Sequence, residues 1–62
     1  MPNLYVFFYR DLNTEERHTE YITAETVDSA IEQYRAITLS KGIRFPVIIR
    51  VTEYQRVRTY NL

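Results

Sequence analysis

Sixty-two residues with no cysteine bound this protein to a single domain, residues 1–62, with no disulfide or cysteine-ligated metal to add to its core. A chain this short buries only about 60% of its unfolded surface, which excludes a catalytic cleft between lobes and makes oligomerisation a natural supplement. The net charge is zero, but seven acids (Asp11, Glu15, Glu16, Glu20, Glu25, Asp28, Glu32) against Arg10 and Arg17 give residues 1–33 a balance of −5. Residues 34–62 carry Arg35, Lys41, Arg44, Arg50, Arg56 and Arg58 against Glu53, a balance of +5. That division fits two pictures: acids and bases meeting across one compact fold, or a basic half that binds a partner or the acidic half of another copy.

No apolar run approaches the roughly 20 residues that cross a bilayer, and the N-terminus lacks the basic-then-apolar layout of a signal peptide. The chain reads as cytoplasmic, with no membrane partner. One glycine, two prolines and 45% hydrophobic residues argue against disorder.

In chain order the pattern is strand, loop, strand, helix, strand. Residues 3–10 are rich in β-branched and aromatic residues, and the run RDLNTEER that follows supplies Asp11, Asn13 and Thr14 for a hairpin loop. HTEYITA resumes an extended pattern through about Thr23. Thr26 is a good helix N-cap, Asp28 lies in the first turn where the helix dipole favours an acid, and Lys41 with Gly42 closes the helix. Val27, Ala30, Ile31, Tyr34 and Ile37 or Thr38 form one narrow apolar stripe, enough to cover one face of a sheet.

Pro46 then opens a third strand, FPVIIRVTEY, in a position where no ladder donor is missed. From Val47 to Tyr60 there is no Gly, Pro, Asn or Asp. Two continuations stay open: a fourth strand after a turn at Glu53–Arg56, or one long strand that projects and invites pairing with another chain. A right-handed crossover through the helix places strand 3 beside strand 1. The expected fold is a small α+β domain, ββαβ or ββαββ, with an antiparallel sheet of order 2-1-3 or 2-1-3-4 and one helix on one face.

Strand 1 is then central, and its two faces differ. Leu4, Val6 and Phe8 match Val47, Ile49 and Val51 and suit the helix stripe. Tyr5, Phe7 and Tyr9 point the other way, beside Ile48, Arg50, Thr52 and Tyr54, with Arg56, Arg58 and Tyr60 further along. No second helix exists to cover them. Tyr and Arg are the residues most enriched in binding hot spots, so this face is expected to bind a partner protein or a second copy of the chain as a dimer. The more ordinary alternative is that the tyrosines stiffen an open sheet through cross-strand contacts and tolerate water.

Single-stranded nucleic acid is the other candidate, with rings stacking bases and Arg50, Arg56 and Arg58 holding phosphates. Zero net charge and a single lysine weigh against it. Chemistry is weaker still. His18, with Glu15, Glu16 and Glu20 nearby, reads as a solvated hairpin flank, and Ser29 and Ser40 have no plausible base. No glycine-rich phosphate loop or paired-histidine motif is present. The expectation is a non-enzyme with no catalytic residue, metal, cofactor or small-molecule substrate.

In size and layout the ββαβ outline, with YITAETVDSAIEQY turning a strand directly into a helix, resembles small accessory proteins of phages and other mobile elements. That resemblance is one of size and layout and assigns a role to no residue; an inhibitor or modulator of a cellular or viral enzyme is one biological form that the expected binding module could take.

Overall fold

The computed structural model describes residues 2–54. Three strands and one helix follow in the order β1 (Asn3–Asp11), β2 (Arg17–Ala24), α1 (Val27–Ser40) and β3 (Pro46–Tyr54). β1 lies in the centre, antiparallel to both neighbours, in a sheet of order β2-β1-β3. This is the α+β, ββαβ domain expected from the sequence. The choice between a fourth strand and a projecting third strand falls on residues 55–62, outside the described residues.

Local chemistry sets each boundary. The hairpin loop is tied by Asp11, whose backbone N–H donates to Glu16 O at 2.9 Å and whose carboxylate accepts from Asn13 N–H at 2.9 Å. Glu15 takes the positive φ, 62°, that the turn needs. The helix begins at Thr26, whose hydroxyl oxygen accepts from Ser29 N–H at 3.1 Å. It ends in a Schellman motif: Gly42 at φ 75° donates to Leu39 O, and the buried Ile43 donates to Thr38 O, each at 3.0 Å. Only a residue without a Cβ takes that φ at no cost.

The helix packs over β2 and β1, with no comparable contact on β3. Its buried line is Ala30, Tyr34 and Thr38, with Ile31 and Ile37 at the margins; Val27 at the helix start is exposed. Facing it are Tyr5 (2% exposed), Phe7 (0%) and Tyr9 (0%), together with Ile22 and Ala24 of β2. This reverses the expected sidedness of β1. The rings of residues 5, 7 and 9 are the core, and Leu4, Val6 and Phe8 occupy the uncovered face.

The reason lies in the fit between rings. Tyr34 presents a large aromatic at the centre of the helix stripe, where it stacks on Phe7 (centroids 4.8 Å apart, planes at 10°) and meets Tyr9 edge-on (5.2 Å, 83°). The hydroxyls of the two strand tyrosines escape to the rim. Tyr5 donates to Glu53 at 2.9 Å and Tyr9 to Glu20 at 2.8 Å, so burying these rings strands neither hydroxyl.

Sidedness on β3 also departs from simple alternation. Its partners run regularly from Tyr54, opposite Leu4, to Arg50, opposite Phe8, and then shift by one, so that Ile48 rather than Ile49 lies opposite Tyr9. A bulge at Ile49 absorbs the extra residue. Val51 and Glu53 therefore share the helix side with Ile48, while Arg50, Thr52 and Tyr54 share the open side. Of the aliphatic set expected to meet the helix, Val51 packs against the core, and Val47 falls on the open face.

Candidate interaction face

The register gives the open face four residues from each strand: Leu4, Val6, Phe8 and Arg10 from β1; Arg17, Thr19, Tyr21 and Thr23 from β2; Val47, Arg50, Thr52 and Tyr54 from β3. Three are arginine and none is an acid. Arg10 stands directly opposite Arg17, an arrangement that costs stability unless something anionic lies against it. Among the described residues neither these two nor Arg50 has a carboxylate within ion-pair distance. The acids of the sheet are on the other side, with Glu20 opposite Phe7 and Glu53 opposite Tyr5. The charge division seen along the chain becomes, in the sheet, a division between faces.

Apolar surface runs through the arginines. Val6 is buried in the middle of the face, Leu4 and Phe8 are half-buried, and Tyr21 (71%) and Tyr54 (52%) are exposed on the flanking strands. The Arg50 guanidinium lies 4.6 Å from the Phe8 ring centroid, a cation–π contact that holds the ring and the charge together. Beside it a groove of about 520 Å³ is lined by Phe8, Tyr9, Arg17, His18, Thr19, Ile49 and Arg50.

The residues expected on the binding face are thus divided. Arg50 and Tyr54 are on the open face. Tyr5, Phe7 and Tyr9 are core, and Ile48 lies on the helix side. Arg56, Arg58 and Tyr60 lie outside the described residues. Sequence reasoning missed Phe8, Tyr21, Arg10 and Arg17, although the signal was present in β2. Its only aliphatic residues, Ile22 and Ala24, mark one parity as core, and hairpin pairing carries Asn3, Tyr5, Phe7 and Tyr9 to that side.

Comparison with models of known protein families, with curated proteins and with solved structures finds no match. The functional reading rests on geometry alone.

The polar groups on the helix side form a structural cluster. Glu20 accepts hydrogen bonds from the Tyr9 hydroxyl and from Lys41 at the end of the helix. Burial works against its charge, but the bonds from Lys41 and Tyr9 outweigh that effect and hold the carboxyl below its usual range. Burial, reinforced by the Glu20 carboxylate, pushes both the Tyr9 and Tyr34 phenols upward. His18 stacks on Tyr9 (5.3 Å, 23°) and sits 3.8 Å from Glu16. The described residues bring together no group of three or more potential metal ligands.

The sign of the resulting pH dependence follows by linkage. A carboxyl whose pKa is lower folded than unfolded contributes stability that is complete above the ordinary glutamate range and is lost as pH falls through the folded-state value. The tyrosines, raised on folding, contribute stability that is complete below about pH 10 and is lost as pH rises through their folded-state values. Denaturant midpoints measured across pH are therefore expected to form a plateau around neutrality that falls at both ends. Glu20→Gln should flatten the acid limb and Tyr9→Phe the alkaline one; limbs unchanged in both variants would show that this cluster is not what titrates.

Proposed function

We propose that the protein is a small, non-catalytic interaction module whose open sheet face binds an acidic surface on a partner protein. The observation that carries this reading is the composition of that face: three arginines without an acid, set among Phe8, Tyr21 and Tyr54. Arginine and tyrosine combine a broad apolar body with a polar tip, and such residues supply most of the energy of protein interfaces. Like charges left facing one another at Arg10 and Arg17 cost the free protein stability that an incoming carboxylate returns. His18, the single histidine of the chain, stacks on Tyr9 and lies 3.8 Å from Glu16.

The test is capture by immobilised protein. Tyr21→Asp and Arg50→Glu change exposed side chains and should preserve the fold, yet each is expected to cut partner retention at least tenfold. Full retention by both variants would remove the open face from the reaction. A second reading, single-stranded nucleic acid, is favoured by the same absence of acids, which leaves no charge on this face to repel phosphates. It predicts that a fluorescent oligonucleotide binds at low salt, releases steeply as salt rises, and binds more weakly to Arg17→Ala and Arg50→Ala. An oligonucleotide that stays free at low salt leaves the protein partner as the reading.

A further inference from the structure

The open face is not uniform along the strands. Strand register sorts it into rows that cross the sheet, and the two rows nearest the hairpin loop are Arg17, Arg10, Val47 and Thr19, Phe8, Arg50. These two rows hold all three arginines. The two rows beyond, centred on Val6 and Leu4, contain no charged residue and carry Tyr21 and Tyr54 at their edges. Alternate residues of a strand stand about 7 Å apart, so the centres of the basic and the apolar half are about 14 Å from one another on a face about 20 Å long. Three strands make it only about 10 Å wide.

We infer that this face takes one segment of a partner chain, laid along the strands, with its carboxylates gathered at one end over the three arginines and its apolar or aromatic side chains at the other end against Val6, Tyr21 and Tyr54. The inference rests on the open-face reading and adds the partner's chemistry and its polarity. Width favours a single segment, since a helix with its side chains is about 10–12 Å across and an extended chain is narrower. Charge fixes which end goes where. Reversed, the segment would lay carboxylates on an uncharged apolar surface and apolar side chains over guanidinium groups, and both mismatches cost affinity.

The basic half has room for the incoming acids. The groove of about 520 Å³ lies there, with Phe8, Arg17, Thr19 and Arg50 in its lining. Stacking on Phe8 holds the Arg50 guanidinium in place, 4.6 Å from the ring centroid, before anything binds. The nearby acids do not compete. Asp11 accepts from Asn13 N–H, Glu20 is bonded to Tyr9 and Lys41, and Glu15 and Glu16 of the hairpin loop form no ion pair with any of the three arginines. Arg17, Thr19, Ile49 and Arg50 are exposed, so the groove would cover a free small anion on one side only, whereas small-molecule sites bury about 70–90% of their ligand. A segment anchored at both ends has no such requirement.

The probe is a synthetic peptide of about seven residues, the number that spans the face when extended, with glutamates in one half, leucine and phenylalanine in the other, and a nitroxide at its acidic end. Added to isotope-labelled protein, it is expected to shift amide signals in both halves of the face. It should broaden those of Phe8, Arg10 and Arg17 at least fivefold more than those of Leu4 and Thr23, and moving the nitroxide to the apolar end should invert that pattern. A peptide of the same composition with acids and apolar residues alternating should bind at least fivefold more weakly. Arg17→Gln and Arg50→Gln should each weaken the first peptide at least threefold. Arg17→Gln also relieves the repulsion from Arg10, so its urea midpoint should match or exceed the native one; an arginine with a merely structural role would lower it. Equal broadening at the two ends, equal binding of the two peptides, or no amide shift with either overturns the inference. Partner capture tells this failure from that of the open face. If Tyr21→Asp and Arg50→Glu lose the partner while the peptide shows no preferred direction, the open face stands and the segment's polarity falls. If both variants retain the partner, the open face falls and takes this inference with it.

Discussion

Phe7→Asp is expected to leave no cooperatively folded protein at 25 °C. Phe7 has no exposed surface, sits at the middle of the central strand and stacks on Tyr34 at 4.8 Å. Removing a buried phenylalanine ring costs about 3–5 kcal/mol, and the carboxylate adds the cost of a charge with no partner in an aromatic core. A domain of this length has roughly 3–9 kcal/mol of total stability at typical values per residue, so the loss exceeds or consumes it. Phe8→Asp, one residue along and on the open face, is the matched comparison. It should retain a sigmoidal urea transition, shifted to lower midpoint, because its side chain is half-buried and can reach water. If Phe7→Asp kept a cooperative transition and Phe8→Asp did not, the assignment of faces would be reversed.

Tyr34 supplies the second large effect, and two substitutions separate its ring from its hydroxyl. The ring is the only aromatic of the helix and touches both Phe7 and Tyr9. Tyr34→Ala should therefore cost about 3–5 kcal/mol. The hydroxyl behaves differently: it is buried, and among the described residues it has no hydrogen-bond partner. A buried polar group left unpaired costs about 1–3 kcal/mol. Tyr34→Phe keeps the stacking and removes that group, so its urea midpoint should equal or exceed that of the native protein. A loss of more than about 1 kcal/mol of stability in Tyr34→Phe would mean that the hydroxyl is bonded.

Both experiments bear on how the sheet divides its rings. In β1 the alternation is legible at once, but both of its faces are apolar, so the strand by itself does not say which one is dry. Chemical class misleads here. Leu4, Val6 and Phe8 look like core and Tyr5, Phe7 and Tyr9 look like surface, because a tyrosine is assumed to keep its hydroxyl in water. Tyr5 and Tyr9 meet that need from within the core, by reaching Glu53 and Glu20 at its rim. The decisive information was non-local: the core parity of β2, the aromatic at position 34, and the pairing that links them.

The candidate binding face shows the same limit. Arg50 and Tyr54 were legible as sharing one face because regular alternation from Tyr54 to Arg50 survives in the structure. Ile48 was misplaced by a bulge that has no glycine to announce it. Arg10 and Arg17 looked unremarkable in a segment counted as acidic, since their surroundings are set by strand pairing rather than by neighbours in the chain.

The sequence by itself determined the element order, the two helix caps, the hairpin and the sheet order, because each depends on contacts within a few residues or on the handedness of one crossover. Tertiary structure decided which side of the central strand is covered, which outer strand lies under the helix and where positive charge collects. These follow from the seating of one helix on two of three strands and from a single bulge, and both are settled by how rings fill space.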